Sequence, residues 1–106
     1  MNKNKKYEKF KEFYPFYLSE HMNPICRLLH FIGTFCVILI IVASFFNIEI
    51  LVFAPMVGYG FAWLGHFFFE KNQPATFKYP IYSFIGDWIL FKDILIGKES
   101  IKNPKI

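Results

Sequence analysis

Two cysteines are all the chain has, and they cannot staple it. Cys26 and Cys36 stand ten residues apart in one apolar run, roughly 15 Å along a helix axis, which is beyond the reach of a disulfide. They read as free thiols in apolar packing, consistent with a reducing compartment, and no chemistry is assigned to them. A Gly-rich phosphate loop is missing as well, which removes nucleotide binding of the usual kinds. Internal repeats and low-complexity segments are absent. Charge is absent from the middle of the chain: between Leu28 and Phe46 the only groups more polar than Gly or Cys are His30, Thr34 and Ser44, and from Ile50 to Phe69 there is no charge except whatever His66 carries.

What fills these gaps is hydrocarbon and aromatic surface. Hydrophobic residues make up 55% of the 106, and fifteen are Phe, above the apolar share of an average soluble domain. Each uncharged run matches the ~20 residues needed to cross a bilayer core. The expectation is therefore an all-α membrane protein, built as an antiparallel transmembrane helical hairpin. A single membrane-embedded domain over 1–106 is divided into an amphipathic N-terminal segment (1–23), span 1 (24–46), span 2 (50–70), a loop (71–80), a third helix (81–96) and a tail (97–106). A cleaved signal peptide fits poorly, because about 27 residues of mixed polarity precede the first apolar run; an uncleaved anchor is expected.

The net charge of +4 is less telling than its placement. Lys3, Lys5, Lys6, Lys9 and Lys11 precede span 1, Lys71 and Lys78 follow span 2, and Lys98, Lys102 and Lys105 lie in the tail. The loop Asn47–Glu49 has neither Lys nor Arg. The positive-inside tendency then puts both ends of the hairpin, and the N-terminus, on the cytoplasmic side. Basic residues scattered over juxtamembrane ends, rather than gathered on one folded face, argue against nucleic-acid binding.

Taken in order, Tyr7, Phe10, Phe13, Tyr14, Tyr17, Leu18 and His21 follow helical spacing, as in a helix lying on a membrane surface. Pro15 interrupts that pattern and predicts two short helices meeting near Tyr14. Asn23-Pro24 is a helix start, with Asn as the cap and Pro in the first turn. Arg27, His30 and Thr34 fall on one side of span 1. Pro55 either kinks span 2 or marks its tighter beginning, and Gly58, Gly60, Ala62 and Gly65 thin its surface so that a neighbouring helix, including one from a second copy in a homo-oligomer, can approach. The 81–96 helix carries Asp87, Lys92 and Asp93, charges that are expensive at a bilayer centre. It is placed at the interface or against the hairpin, with a third membrane helix as the other arrangement.

The histidines are the chemical signal. With Ile48 as the turn, His30 lies 48 − 30 = 18 residues before it and His66 lies 66 − 48 = 18 after, so both sit ~27 Å from the turn at one depth. His21 is three residues before Pro24, on the same side. Three neutral imidazoles in a partly dry site suit Fe, Zn, Cu or Ni. Glu20, Glu70 and Asp87 are positioned to orient the rings or to replace one as a ligand. His66 and Glu70, four apart, share a face if their helix is regular. Arg27 reads as a lipid-headgroup anchor or as a cation for a fatty carboxylate. The same residues also admit a non-catalytic membrane scaffold with interfacial histidines, a bis-histidine haem electron carrier, and a zinc hydrolase acting on lipid.

The string Tyr17-Leu18-Ser19-Glu20-His21-Met22-Asn23-Pro24 is followed by Arg27, His30, Phe31 and Gly33. Then come Gly58-Tyr59-Gly60, Trp63, Gly65-His66, Phe69-Glu70-Lys71-Asn72, Pro74-Ala75-Thr76, Tyr79-Pro80 and Gly86-Asp87. Over Tyr17 to Asp87 this resembles the small membrane proteins of the yeast 2-hydroxy fatty acid dioxygenase family. The resemblance implies Fe(II) as cofactor, His21, His30 and His66 as its ligands, and a 2-hydroxy fatty acid and dioxygen as substrates, with the acid shortened by one carbon. In that frame Glu70 and Asp87 take catalytic or ligand-supporting roles, Arg27, Lys71 and Asn72 contact substrate, Glu20 supports a ligand, and the acyl chain lies between the spans toward the turn. The richness in Lys, Asn, Ile and Phe suggests a bacterial member, in the inner membrane and in contact with its lipid.

Overall fold

The computed structural model describes residues 7–104, so the expectation of a frayed start at residues 1–6 and the charges of Lys3, Lys5, Lys6 and Lys105 lie outside the described residues. Among these residues there are four α-helices and no strand: α1 (Phe10–Ser19), α2 (Pro24–Ser44), α3 (Phe53–Leu64) and α4 (Pro80–Leu95). A 3-10 turn at Ile48–Val52 leads into α3, a π-helical turn at Gly65–Glu70 prolongs it, and a second 3-10 turn occupies Ala75–Phe77.

Asn23 starts α2 as its composition predicts. Its side-chain carbonyl accepts from the backbone N–H of Ile25 at 2.8 Å and Cys26 at 3.3 Å, and Pro24 occupies the first turn, where a missing N–H costs little. Two helical stretches, Pro24–Ser44 and Ile48–Glu70, are long and apolar enough to cross a membrane, with mean hydropathies of 2.5 and 1.5. Only 28% and 11% of their most apolar windows are buried, so most of that apolar surface has no protein against it. Pro55 causes no break: it falls in the first turn of α3, behind the tighter 3-10 entry.

Contacts between the two stretches descend in order. Gly65 meets Cys26, Phe61 meets Gly33, and Gly58 meets Val37. At the first contact a Cβ on Gly65 would come within 2.9 Å of the Cys26 sulfur and 3.2 Å of its Cα. That absence of a side chain lets the end of α3 close onto the start of α2.

The N-terminal segment departs from expectation in two ways. Instead of two short helices, α1 runs unbroken through Pro15. Pro15 and Lys11, whose carbonyl loses its partner there, are both exposed, while the inner face is held by aromatic packing. That face also covers protein rather than lipid: Phe13 and Tyr17 are fully buried against Leu90 and Ala75, with Tyr79 and Tyr82 around them. A glycine at position 86 permits this, since a Cβ there would meet the Tyr17 ring at 2.9 Å. The charges of α4 are absorbed similarly. Tyr14 donates to Asp93 at 2.9 Å and Tyr17 to Asp87 at 2.5 Å.

Candidate metal centre

The three histidines come from three separate pieces of chain. His21 lies in the turn after α1, where its N–H bonds the carbonyl of Leu18 at 3.0 Å. His30 is near the start of α2, and His66 is the second residue of the π-helical turn. All three are buried. Their ring centroids stand 4.4 to 5.0 Å apart, and one potential ligand atom from each lies within 4.8 Å of the others.

Which nitrogen of each ring carries the proton follows from what its Nδ1 faces. His21 Nδ1 donates to the carbonyl of Tyr17 at 2.5 Å, and His30 Nδ1 to the carbonyl of Cys26 at 2.9 Å. His66 Nδ1 donates to Asn72 Oδ1 at 2.7 Å. The amide orientation at Asn72 is set in turn, because its Nδ2 donates to the carbonyl of Glu20 at 3.1 Å. With every Nδ1 protonated, each neutral ring turns an Nε2 lone pair inward. Those of His30 and His66 stand 3.1 and 2.9 Å from that of His21. Lone pairs so close, with no proton between them, repel; a cation among them reverses the sign. Two imidazole nitrogens about 2.1 Å from a shared ion and at right angles would lie about 3.0 Å apart, so this donor set fits a divalent transition-metal ion.

Burial holds His21 well below the ordinary imidazole pKa, and the neighbouring His30 and His66 push the same way, so it is available as a neutral ligand. Tyr17 stacks on His21 at 4.0 Å between centroids. Burial and the Asp87 charge keep its phenol protonated, and burial pushes Asp87 up to about 7 against the opposing pull of the Tyr17 hydrogen bond. Around the imidazoles is a cavity of about 20 Å³, lined also by Tyr17, Tyr59, Trp63, Thr76, Ser83 and Asp87. The buried hydroxyl of Ser83 has no hydrogen-bond partner.

The structure moves several expected site residues away from this cavity. Arg27, expected as a headgroup anchor or as a cation for a fatty carboxylate, is not among the residues lining the cavity. Fully buried, it donates from Nε to the carbonyl of His21 at 2.5 Å, and from one terminal nitrogen to Glu99 at 2.8 Å and the carbonyl of Ser100 at 3.1 Å. Glu70 accepts from the backbone N–H of Asn23, so its charge caps α2. Lys71 is exposed, with a left-handed backbone (φ 62°) that ends the π-helical turn. Asn72 orients His66 and does not line the cavity, and Glu20 contributes chiefly its carbonyl. Asp87 alone of the expected carboxylates is in the wall. The sequence pattern gave no site role to Tyr17, Tyr59 or Trp63, which entered only through the family-like string, nor to Ser83; the cue available for Tyr17 is its position four residues before His21.

A family model described as Mpo1-like, 2-hydroxy-palmitic acid dioxygenase Mpo1-like, matches residues 7–99. No curated protein and no solved structure gives a significant match.

Proposed function

The chain belongs to the Mpo1-like family, and on that footing we propose that it is an Fe(II)-dependent dioxygenase that converts a long-chain 2-hydroxy fatty acid to the fatty acid one carbon shorter. The observation that carries the proposal is the convergence of three unprotonated Nε2 atoms, each ring held by an acceptor on its far side. His21, His30 and His66 would hold the iron, which when bound would supply the redox chemistry that lets dioxygen react with a closed-shell acid.

The reaction balances without a further reductant. The substrate R–CHOH–COOH and O2 give R–COOH, CO2 and H2O, and the four electrons that dioxygen takes come from the 2-hydroxy acid. A nucleotide or 2-oxo acid co-substrate is not needed. The side chains of the wall divide the remaining work. Ser83, whose hydroxyl is free, donates to an oxygen of the acid. Asp87, poised near neutrality, takes the proton of the 2-hydroxyl on the carboxyl oxygen that Tyr17 does not use. Tyr17 fixes Asp87 and the face of His21 together. A cavity of about 20 Å³ has no room for a porphyrin, which weighs against the haem carrier.

The same reading sets Pro24–Ser44 and Ile48–Glu70 as an antiparallel hairpin across a bilayer, with the metal centre at the cytoplasmic face beside the lysine-bearing ends. Labelling of Asn47→Cys by an impermeant thiol reagent from the outer side of intact cells supports that orientation, and labelling only after lysis refutes it. The activity is tested by anaerobic metal analysis of detergent-purified protein, wild type beside His66→Ala, followed by addition of a long-chain 2-hydroxy acid and dioxygen. About one iron per chain, lost in the variant, and shortened acid from the wild type alone are expected. Absence of product after iron reconstitution overturns the proposal.

A further inference from the structure

A second and larger cavity, of about 370 Å³, lies where α2, α3 and α4 meet. Its wall includes Val37 and Ile41 from α2, Ala54 and Gly58 from α3, and Phe84 and Trp88 from α4. Two residues, Tyr59 and Asp87, line this cavity and the metal cavity alike, so the two are continuous in their walls. Asp87 is its one charged lining residue, and it stands at that junction.

The metal cavity is too small for more than the polar head of a lipid acid, so a tail attached to that head must leave it. Two neighbouring spaces are available. One, of about 100 Å³, shares Pro74 and Ala75 with the metal cavity but is walled also by Glu20, Gln73 and Lys78, a poor surface for hydrocarbon. The other is the apolar cavity past Tyr59 and Asp87. Resting on the dioxygenase reading, we propose that this cavity receives the hydrocarbon tail of the 2-hydroxy acid, with Tyr59 and Asp87 at the neck, and that its far end, at Ala54 and Leu51, limits the length of chain accepted. From His66 to Leu51 is 66 − 51 = 15 residues, ~23 Å of helix. Carbons bonded at about 1.5 Å advance about 1.3 Å each along an extended zigzag, so this length takes a chain of up to about eighteen carbons. A crevice that only greased a bilayer chain would need neither a carboxyl nor a phenol at one end.

The protein has two tryptophans, and Trp88 is in the cavity wall, so Trp63→Phe leaves a single reporter. In metal-free Trp63→Phe protein in detergent, a sixteen-carbon 2-hydroxy acid brominated near mid-chain should quench Trp88 more than the same acid brominated at its methyl end, and the unbrominated acid should compete. Equal quenching by a brominated phospholipid, or quenching indifferent to bromine position, overturns the assignment. In the second arm, Ala54→Phe shortens the groove. Turnover of a sixteen-carbon acid should fall at least tenfold relative to a twelve-carbon one, and an unchanged length profile overturns the proposal. The arms separate the two ideas. Position-dependent quenching with no shortened acid from any variant removes the dioxygenase and keeps the groove; shortened acid with no such quenching does the reverse. Should Ala54→Phe fail to fold, the quenching result decides alone.

Discussion

Asn72 is the residue at which the metal-site geometry is most directly tested, because it touches a candidate ligand and not the cavity. Its Oδ1 accepts the His66 Nδ1 proton at 2.7 Å, and its Nδ2 ties that amide to the carbonyl of Glu20 at 3.1 Å. Replacing it with Ala removes both hydrogen bonds, each worth about 1 kcal/mol to the folded chain. It also frees the His66 ring to take the other tautomer and to rotate its Nε2 out of the cluster. Loss of such an outer partner typically costs 10- to 100-fold in metal affinity, which corresponds to about 1.4 to 2.8 kcal/mol. Asn72→Asp should keep the affinity at or above the wild-type value, since a carboxylate accepts the same proton and makes the imidazole more basic. The assay is anaerobic titration of the detergent-purified proteins with Fe(II) or Co(II) against a competing chelator. Equal affinities for Asn72→Ala and wild type would refute the claim that the far-side acceptor holds His66 in place.

Other substitutions separate scaffold from chemistry. Glu70→Gln should lower thermal stability by about 1 kcal/mol, through a weaker cap on α2, and leave metal stoichiometry unchanged; loss of metal in that variant would return Glu70 to the site. Glu99→Ala strands the buried Arg27 charge and should cost about 3 kcal/mol or more, read as a lower midpoint in thermal unfolding, whereas an unchanged midpoint would show that the pair contributes little. Asp87 has a folded-state pKa raised to about 7, so its stabilising contribution is fully present below the unfolded value and is lost as pH rises through 7. The stability of metal-free wild type relative to Asp87→Asn should therefore decline between about pH 4 and 7 and level off above; a difference that does not vary with pH would place the carboxyl in water.

The approach of His30 to His66 was legible because residue counting on either side of the turn puts them at equal distances from it, and their rings stand 5.0 Å apart. The start of α2 was legible for an equally local reason, an Asn-Pro cap. What failed was anything that depended on helix phase or on distant chain. His66 and Glu70 share a face on an α-helix, but the π-helical turn inserts an extra residue into that repeat. Glu70 accordingly swings to Asn23, and the left-handed Lys71 brings Asn72 back to the imidazole. The fate of Arg27 was set by Glu99, seventy-two positions away, which no local pattern reports. Pro15 marks a weak point in α1, but its exposed position and the aromatic face opposite let the helix continue.

The origin of the three imidazoles in the chain has a consequence for biogenesis. His21 and His30 leave the ribosome close together and can meet with α2 alone, but His66 and its acceptor Asn72 arrive only after the second apolar stretch has been made. A full ligand set thus exists only once the end of α3 has closed on the start of α2 through the Gly65–Cys26 contact. A metal held by all three imidazoles could be captured only after that pairing, and a chain stalled before it offers two histidines alone.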